Sequence, residues 1–556
     1  MKTKKIVALF MSLAVMLTSV SMLFVSASAV EVQNQIDIPD GDNTYSLNGE
    51  EYTVIRSIDG MKTAAADDAG GKHYILDADL DYNGEDFDQI YLANGSFNGN
   101  GHSIRNFRIA LGQDAGNNIA MFKFTNDATV KISNLTVGDP DHPVSVTCTA
   151  NAWATNGSCR VGTLFGYLQS TAATIENVTV YANVSANGTF RIGGFIGEAR
   201  KNLTMKNCVF NGTVSDENSN ENCPAGGLIG HCYNMSSGIF ENCASYGSVS
   251  NTVYAGGLIG GFTNTASLTN CANYASVTAQ KSGGLIADAG EKVSGKVTME
   301  KCFNAGAVTG TTYAGGLMGI ISKHANVLYN DTSFTDCANI GTVTGGTAAD
   351  LVAMIYDGSK LTVTNCGAFA AAGAFKLYNV TKAAGEASYT PVLTDQSAAE
   401  ALTFMQTNCK FAMFGVEDNK IVVKTVPAEA KFLQYRKDTV ANKMDIRVIG
   451  VINAGDLAAY ENVGFNVSIT PEGKEKISLD PQTTTVVYQT VNANESGTIT
   501  TFSANALGAT YLYALELQNI PMEGRFTFEI TTFATAGGSP INDSVVTVTI
   551  DDGTIQ

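Results

Sequence analysis

Charge is scarce in this 556-residue chain, and positive charge scarcer still: 52 Asp and Glu stand against 34 Lys and Arg, a formal net charge of −18 at pH 7. An acidic surface argues against nucleic acid or an anionic lipid face as partner, because both are held largely by neutralising cations. It argues also against polyanionic glycans, unless a local basic patch overrides the mean. Histidine occurs five times, at 73, 102, 142, 231 and 324, and none belongs to a spaced metal or triad arrangement. Close C-x-x-C pairs are missing, which removes the usual structural zinc site. No heptad or helical stripe runs through the repetitive middle of the chain. After Val25 there is no further long apolar run, so the mature chain is not expected to insert into a membrane. A sortase-type L-P-x-T-G and a duplicated dockerin loop are lacking, so covalent wall attachment is not expected.

What is present is a phrase that returns. Ala225 to Gly230 reads AGGLIG, and Ala255 to Gly260 repeats it unchanged. Variants stand at Val161 to Gly166, Ile192 to Gly197, Ser282 to Ala287 and Ala314 to Gly319. The spacing is roughly 30 residues, the signature of a solenoid, propeller or array. Between copies sits a second phrase, apolar-x-Asn-Cys, at Asn207-Cys208, Asn242-Cys243, Asn270-Cys271 and Asn365-Cys366. Lys301-Cys302 and Asp336-Cys337 keep the cysteine, whereas Asn106-Phe107, Asn134-Leu135 and Asn177-Val178 keep the asparagine. Alternating stretches such as Ile175 to Val180 are strand signals.

A stacked β-coil accounts for both phrases. Parallel strands in neighbouring coils lie ~4.8 Å apart, so like residues stack on like. Paired glycines supply a corner with positive φ, or a place where backbones pass closely. Asparagine tolerates the left-handed conformation of a bend, and stacked amides bond along the ladder. Cysteine beside it acts as a small buried hydrophobe. A leucine-rich repeat also uses such ladders, but its L-x-x-L-x-L lead-in is missing. These residues resemble the GLUG-motif repeats of secreted bacterial surface proteins. Tyr74 to Leu80, Phe97 to Phe107 and Ala120 to Phe124 look like the opening coils of that group, and the resemblance covers roughly residues 50 to 425. It implies a right-handed parallel β-helix of the pectin-lyase-like type and no particular activity.

The resulting organisation is all-β, a right-handed parallel β-helix followed by a small Ig-like antiparallel β-sandwich. Residues 1–29 read as a signal peptide: Lys2, Lys4 and Lys5 precede an apolar run to Val25 and an A-x-A box at Ala27 to Ala29. Residues 30–56 are a lead-in and 57–380 the β-helix. Residues 381–427 form a C-terminal cap with a helix over Thr394 to Thr407 covering the open end. Residues 428–556, with six separated β-rich runs, form the sandwich. Eleven cysteines are present. The six on the ladder are expected as buried thiols, Cys148 with Cys159 and Cys223 with Cys232 are candidate disulfides, and Cys409 has no mate.

Candidate chemistry is thin. Asp77, Asp79 and Asp81 alternate, which places them on one strand face as candidate calcium ligands. The competing reading is simply the outer face of a first coil. Gly99 to His102 is superficially similar to glycan-cleaving β-helices, but their paired aspartates are not evident. The expected function is a secreted, non-catalytic surface or extracellular binding protein whose partner is an extracellular glycan or a host or surface protein. A polysaccharide lyase or hydrolase on the same scaffold is the alternative, and a structural cell-envelope component the third reading. Exposed aromatics along a groove favour glycan binding; acidic pairs, or a lysine and an arginine, converging on one flank favour an enzyme.

Overall fold

The computed structural model describes Ile36 and residues 38–555, except 40, 48, 112–117, 125, 149–158, 188–190, 218–222, 290–295, 323–330, 357, 370–374, 383–391, 408–413, 418–419, 424–428, 439–441, 454–461, 475, 479–481, 485–491, 494–498, 501–509, 537–538 and 553. The leader over 1–29, His324 and Cys409 lie outside the described residues. Two compact units are formed, one over Ile38–Val423 and one over Lys424–Gln556.

The first unit is a parallel β-solenoid of about 8 turns. Its core is a column of one large apolar side chain per coil. Phe97, Ile132, Ile175, Met205, Phe240, Leu268, Met299, Phe334 and Val363 follow one another in parallel register. All nine are buried. Burying each such side chain contributes ~1.5–3 kcal/mol, so the column holds the coils together through transfer of apolar surface from water.

Asparagine makes the bend beside this column. Asn106, Asn134, Asn177, Asn207, Asn242, Asn270 and Asn365 all have φ between 51° and 56°, the left-handed region. Their amides bond coil to coil. Asn177 Nδ2 donates to Asn134 Oδ1 at 3.0 Å, Asn207 to Asn177 at 2.8 Å and Asn242 to Asn207 at 2.9 Å. Lys301 and Asp336 take the same bend, with φ 52° and 53°. Lys301 therefore carries a left-handed penalty of about 1 kcal/mol without an amide to offset it. The residue after each bend is buried: Phe107, Leu135 and Val178 in the early coils and Cys208, Cys243, Cys271, Cys302, Cys337 and Cys366, none in a disulfide, in the later ones. Burial pushes the Cys243 and Cys302 thiols up, so both stay protonated in the lumen.

The glycine phrase works differently from one of its two expected roles. Neither Gly227 nor Gly257 has a positive φ; what both lack is room. A Cβ on Gly257 would lie 2.1 Å from the Gly284 carbonyl oxygen and 2.2 Å from Asn273 Cγ. At Gly227 it would meet the Gly257 oxygen and Ser245 Oγ, each at 2.1 Å. The same holds for Gly284 against Asn304 and Gly316 against Asn339. The glycine phrase and the cysteine phrase thus meet inside each coil. The residue two beyond the ladder cysteine fills the space that the missing Cβ leaves. Asn273, Asn304 and Asn339 form a second, fully buried amide ladder there, with Nδ2 to Oδ1 distances of 2.8 Å and 2.8 Å. Each amide also donates to a carbonyl of its own loop, that of Ala275, Gly306 or Gly341, so no buried donor is wasted.

On the outside, two rows of small polar residues flank a row of valines. Thr147, Ser185, Ser215, Ser250, Thr278, Thr309 and Thr344 stack in register, and Ser145, Asn183, Thr213, Ser248 and Ser276 form the parallel row. Val146, Val184, Val214, Val249, Val277 and Val308 between them point inward and are buried. Hydroxyl pairs such as Thr309 with Thr344, 3.2 Å apart, continue the ladder without charge.

Both ends are closed by antiparallel strands. Thr44–Leu47 pairs with Glu50–Ile55, which joins the first parallel strand, His73–Leu76. A helix, Ile58–Ala66, capped by Ser57, packs Met61 and Ala64 into the same core. At the other end Lys360–Phe369 is covered by Phe375–Lys382 and that by Val392–Gln396, both antiparallel. The expected second helix is shorter, Ala398–Thr407, because the chain before it is strand. Ser397 and Glu400 bond reciprocally to make its capping box. Its Ala401 and Met405 pack with Ala244, Ala272, Phe303 and Ala338, a shallow apolar strip on the side of the coils and not their open end.

Among its described residues the second unit pairs its strands antiparallel. One sheet joins Glu429–Asp438, Lys443–Asn453 and Thr510–Pro521. A second joins Asn462–Pro471, Arg525–Ala536 and Ser539–Asp551, with short edge strands, and Asn492–Ala493 pairs with Ile499–Thr500. Ala428 to Val440, read from sequence as a loosely patterned boundary, supplies the strand Glu429–Asp438 at the edge of the first of these sheets.

Three substitutions test the corner and the bend. Gly257→Ala should destabilise the chain by about 3 kcal/mol through overpacking. Gly60→Ala, in a helix with its nearest atom at 3.4 Å, should leave the unfolding midpoint unchanged or raise it. Equal midpoints for the two variants would contradict the close-approach argument. Lys301→Asn should stabilise by about 1 kcal/mol in urea unfolding, since an asparagine relieves the left-handed strain.

Candidate functional site

The glycine corner also decides what happens outside the coil. Side chains just before the phrase and just after it come together over the corner. Before it, Asn118, Arg160 and Arg191 stack in register, as do Tyr254, Lys281 and Tyr313 further along. After it run Tyr167, Glu198, His231, Gly261, Asp288 and Ile320. The flank therefore presents a tyrosine or a cation from coil to coil. Tyr167, Tyr233, Tyr254 and Tyr313 are all half-buried.

The densest part surrounds Glu198, whose side chain is 0% exposed. Arg191 Nη1 and Arg200 Nε each lie 2.5 Å from Glu198 Oε1, and Arg160 Nε donates to Oε2. Tyrosine rings interleave the guanidinium groups. Arg160 lies 4.5 Å from the Tyr167 centroid, Arg200 4.5 Å from Tyr233 and 5.3 Å from Tyr167, and Arg191 5.0 Å from Tyr233. Each separation is within cation–π range. Burial alone would raise the Glu198 carboxyl, but the charges of Arg191 and Arg160 outweigh it and hold it below its ordinary 4.5. Glu198 is therefore an ionised anchor that fixes three arginines. It is not available as a proton donor near neutral pH. Further along, Lys281 Nζ donates to the Tyr254 hydroxyl at 2.8 Å and lies 4.5 Å from that ring.

Asp77, Asp79 and Asp81 do not share one strand face. The strand His73–Leu76 stops before Asp77, and Leu80–Asp81 starts after Asp79, so a bend separates them. Each has its own donors. Arg56 Nε donates to Asp77 at 2.6 Å, Ser103 N to Asp79 at 2.7 Å, and Asn83 N and Asn106 Nδ2 to Asp81, both at 2.9 Å. Among the described residues, no three His, Cys, Asp or Glu side chains converge as a metal site requires. Neither candidate disulfide is formed. Cys148 and Cys159 touch, with sulfurs 3.4 Å apart, as two buried thiols not joined by a disulfide. Cys232 stacks in the lumen column between Ala199 and Phe262, whereas the Cys223 carbonyl holds Asn251, so these two belong to different columns.

The arginine–tyrosine flank was not legible beforehand. Its residues sit immediately beside the glycine phrases, at Arg160, Tyr167, Arg191, Glu198 and Arg200, but lie up to forty positions apart and share no motif.

The chain is similar to Halomucin. That protein of Haloquadratum walsbyi is 29% identical over 244 residues, which are 44% of this chain and 2% of Halomucin. The chain thus matches a small fraction of that relative's length. No family model matches the chain, and no solved structure does. Among the described residues no helix is long and apolar enough to cross a membrane.

Acid titration tests the anchor. With its folded value depressed, Glu198 contributes stability that is complete above about pH 4.5 and is lost as pH falls through the folded value. The wild-type melting temperature should therefore fall more steeply between pH 5 and pH 3 than that of Glu198→Gln (~1–2 pH units of titration). Parallel curves would remove Glu198 from the account.

Proposed function

We propose that the chain is a secreted, non-catalytic surface or extracellular protein that binds glycan along the tyrosine–arginine flank of its solenoid. The observation that carries this reading is the run of half-buried tyrosines beside guanidinium and ammonium groups, over a carboxylate that the arginines keep ionised. A pyranose offers flat C–H faces and an equatorial rim of hydroxyls. A tyrosine offers an apolar face and a polar tip, and an arginine offers fixed donors, so the two sets of groups match. The similarity to Halomucin supports a surface or extracellular placement. Cleavage of residues 1–29 as a leader, membership of the GLUG-type repeat proteins and face-to-face packing of the two C-terminal sheets as a sandwich belong to the same proposal. So does any calcium held at Asp77, Asp79 and Asp81. The core repeats supply glycine, asparagine, cysteine and aliphatics, which stack, and the ladder thiols are buried in the lumen away from any substrate.

A screen against a broad glycan array and extracellular proteins, beside lyase and reducing-sugar assays, tests the reading. Saturable glycan binding without product is expected, and Tyr233→Ala should weaken it about tenfold. Product release, or binding to proteins alone, would overturn it.

A further inference from the structure

We infer that the corner around Arg200 is a site for a single anionic sugar, one pyranose bearing a carboxylate or a sulfate. The inference rests on the glycan-binding reading above and names the class of glycan.

The first ground is charge. The chain as a whole carries −18, yet three guanidinium groups gather on one buried carboxylate here. Asp216 is the second acid whose charge is felt in this region, acting with Arg160 on the Cys159 thiol and with Arg191 on the Cys223 thiol. Lys201 is paired with Asp127 and adds no net charge. Among the described residues, three guanidinium groups thus meet Glu198 and Asp216 at this corner, a local gathering of positive charge on an otherwise acidic molecule.

The second ground is geometry. Arg160 and Arg191 are 14% and 3% exposed, whereas Arg200 is 27% exposed. Its Nε is committed to Glu198, and the rings of Tyr167 and Tyr233 lie against its guanidinium group. Its two Nη groups have no acceptor among the described residues. That remaining edge carries parallel N–H donors in the fork that fits the two oxygens of a carboxylate or a sulfate. The flanking tyrosines pack their faces on the guanidinium groups, and their half-buried edges border the position of the sugar that bears the anion.

The third ground limits the ligand to one anion. The cluster draws on the three successive coils that carry Arg160, Arg200 and Tyr233, about 10–15 Å of solenoid. A long polyanion would extend more than a Debye length, ~8 Å, over surface of its own sign. An isolated anionic residue on a neutral glycan avoids that repulsion.

Calorimetric titration of the full chain with 3′-sialyllactose, lactose 3′-sulfate, lactose and polygalacturonate tests the site. One or both of the singly charged sugars should bind at least about tenfold tighter than lactose, ~1.4 kcal/mol. A response to the sialylated sugar alone assigns the carboxylate, and to the sulfated sugar alone the sulfate. Arg200→Gln should abolish the preference for charge with the melting temperature held within a few degrees (about 1 kcal/mol of stability). Arg200→Lys, which keeps the charge and loses the fork, should lose about fivefold and serves if the glutamine variant does not fold. Equal binding of lactose and the charged sugars would overturn the anion site and leave the glycan reading standing. So would an array hit on neutral glycans with no response to either charged sugar. Tighter binding of polygalacturonate, or a preference that survives in both variants, would also overturn it. Failure of every glycan on the array would remove both readings.

Discussion

The coils pass so closely at one corner that a side chain between their backbones has no room. This is the second glycine of the phrase, Gly194, Gly227, Gly257, Gly284 and Gly316, where a Cβ would sit 2.0–2.1 Å from the carbonyl oxygen of the next coil. The freed space is occupied from within the same coil. Phe210 fills it opposite Gly194, Ser245 opposite Gly227, and asparagine opposite Gly257, Gly284 and Gly316. Packing and polar satisfaction are therefore one problem, solved by pairing the smallest residue with an amide that reaches its own loop and the next coil. The copies that break the phrase are instructive. Thr163 and Asp350 stand where the second glycine would be, and the equivalent opposing positions hold Val180 and Ala368 in place of a polar side chain.

Close stacking has consequences outside the lumen. Because the corner is tight, the residues on either side of it meet over the backbone, and this brings Arg160 and Arg191 onto Glu198. Three of the chain's few arginines are thereby gathered at one corner, while a separate strand carries uncharged serine and threonine rows. The anionic mean of the molecule says little about such a corner, since only the groups within a few ångströms act strongly on a bound sugar.

Much of the solenoid was legible because it repeats. Asparagine at the bend, cysteine in the lumen and parallel register follow from period and residue type, and Asn134 to Asn365 take the conformation those residues favour. What escaped has physical reasons. The glycines were open to two roles, and only the backbone distances separate close approach from positive φ. The buried ladder Asn273, Asn304 and Asn339 left a signal, an asparagine two beyond the cysteine, that recurs in three coils alone. The last coil is hidden because Ala349 and Asp350 replace both glycines, although Leu351 continues the ladder. The helix Ile58–Ala66 is short and glycine-containing, and the strip that receives Ala401 exists only once four coils are stacked. For the same reason the arginine–tyrosine corner cannot be read along the chain: its members become neighbours through register, not through spacing.

The central claim is that the coils form one cooperative stack held through the glycine corners. The backbone amides of Phe195, Leu228, Leu258, Leu285 and Leu317 each donate to the equivalent residue of the next coil, at 2.8–3.0 Å. Native-state hydrogen exchange at these amides tests the claim most directly. Exchange of all five at a common, slow rate set by unfolding of the whole stack is predicted. Rapid exchange at any of the interior corners, with the others still protected, would contradict it.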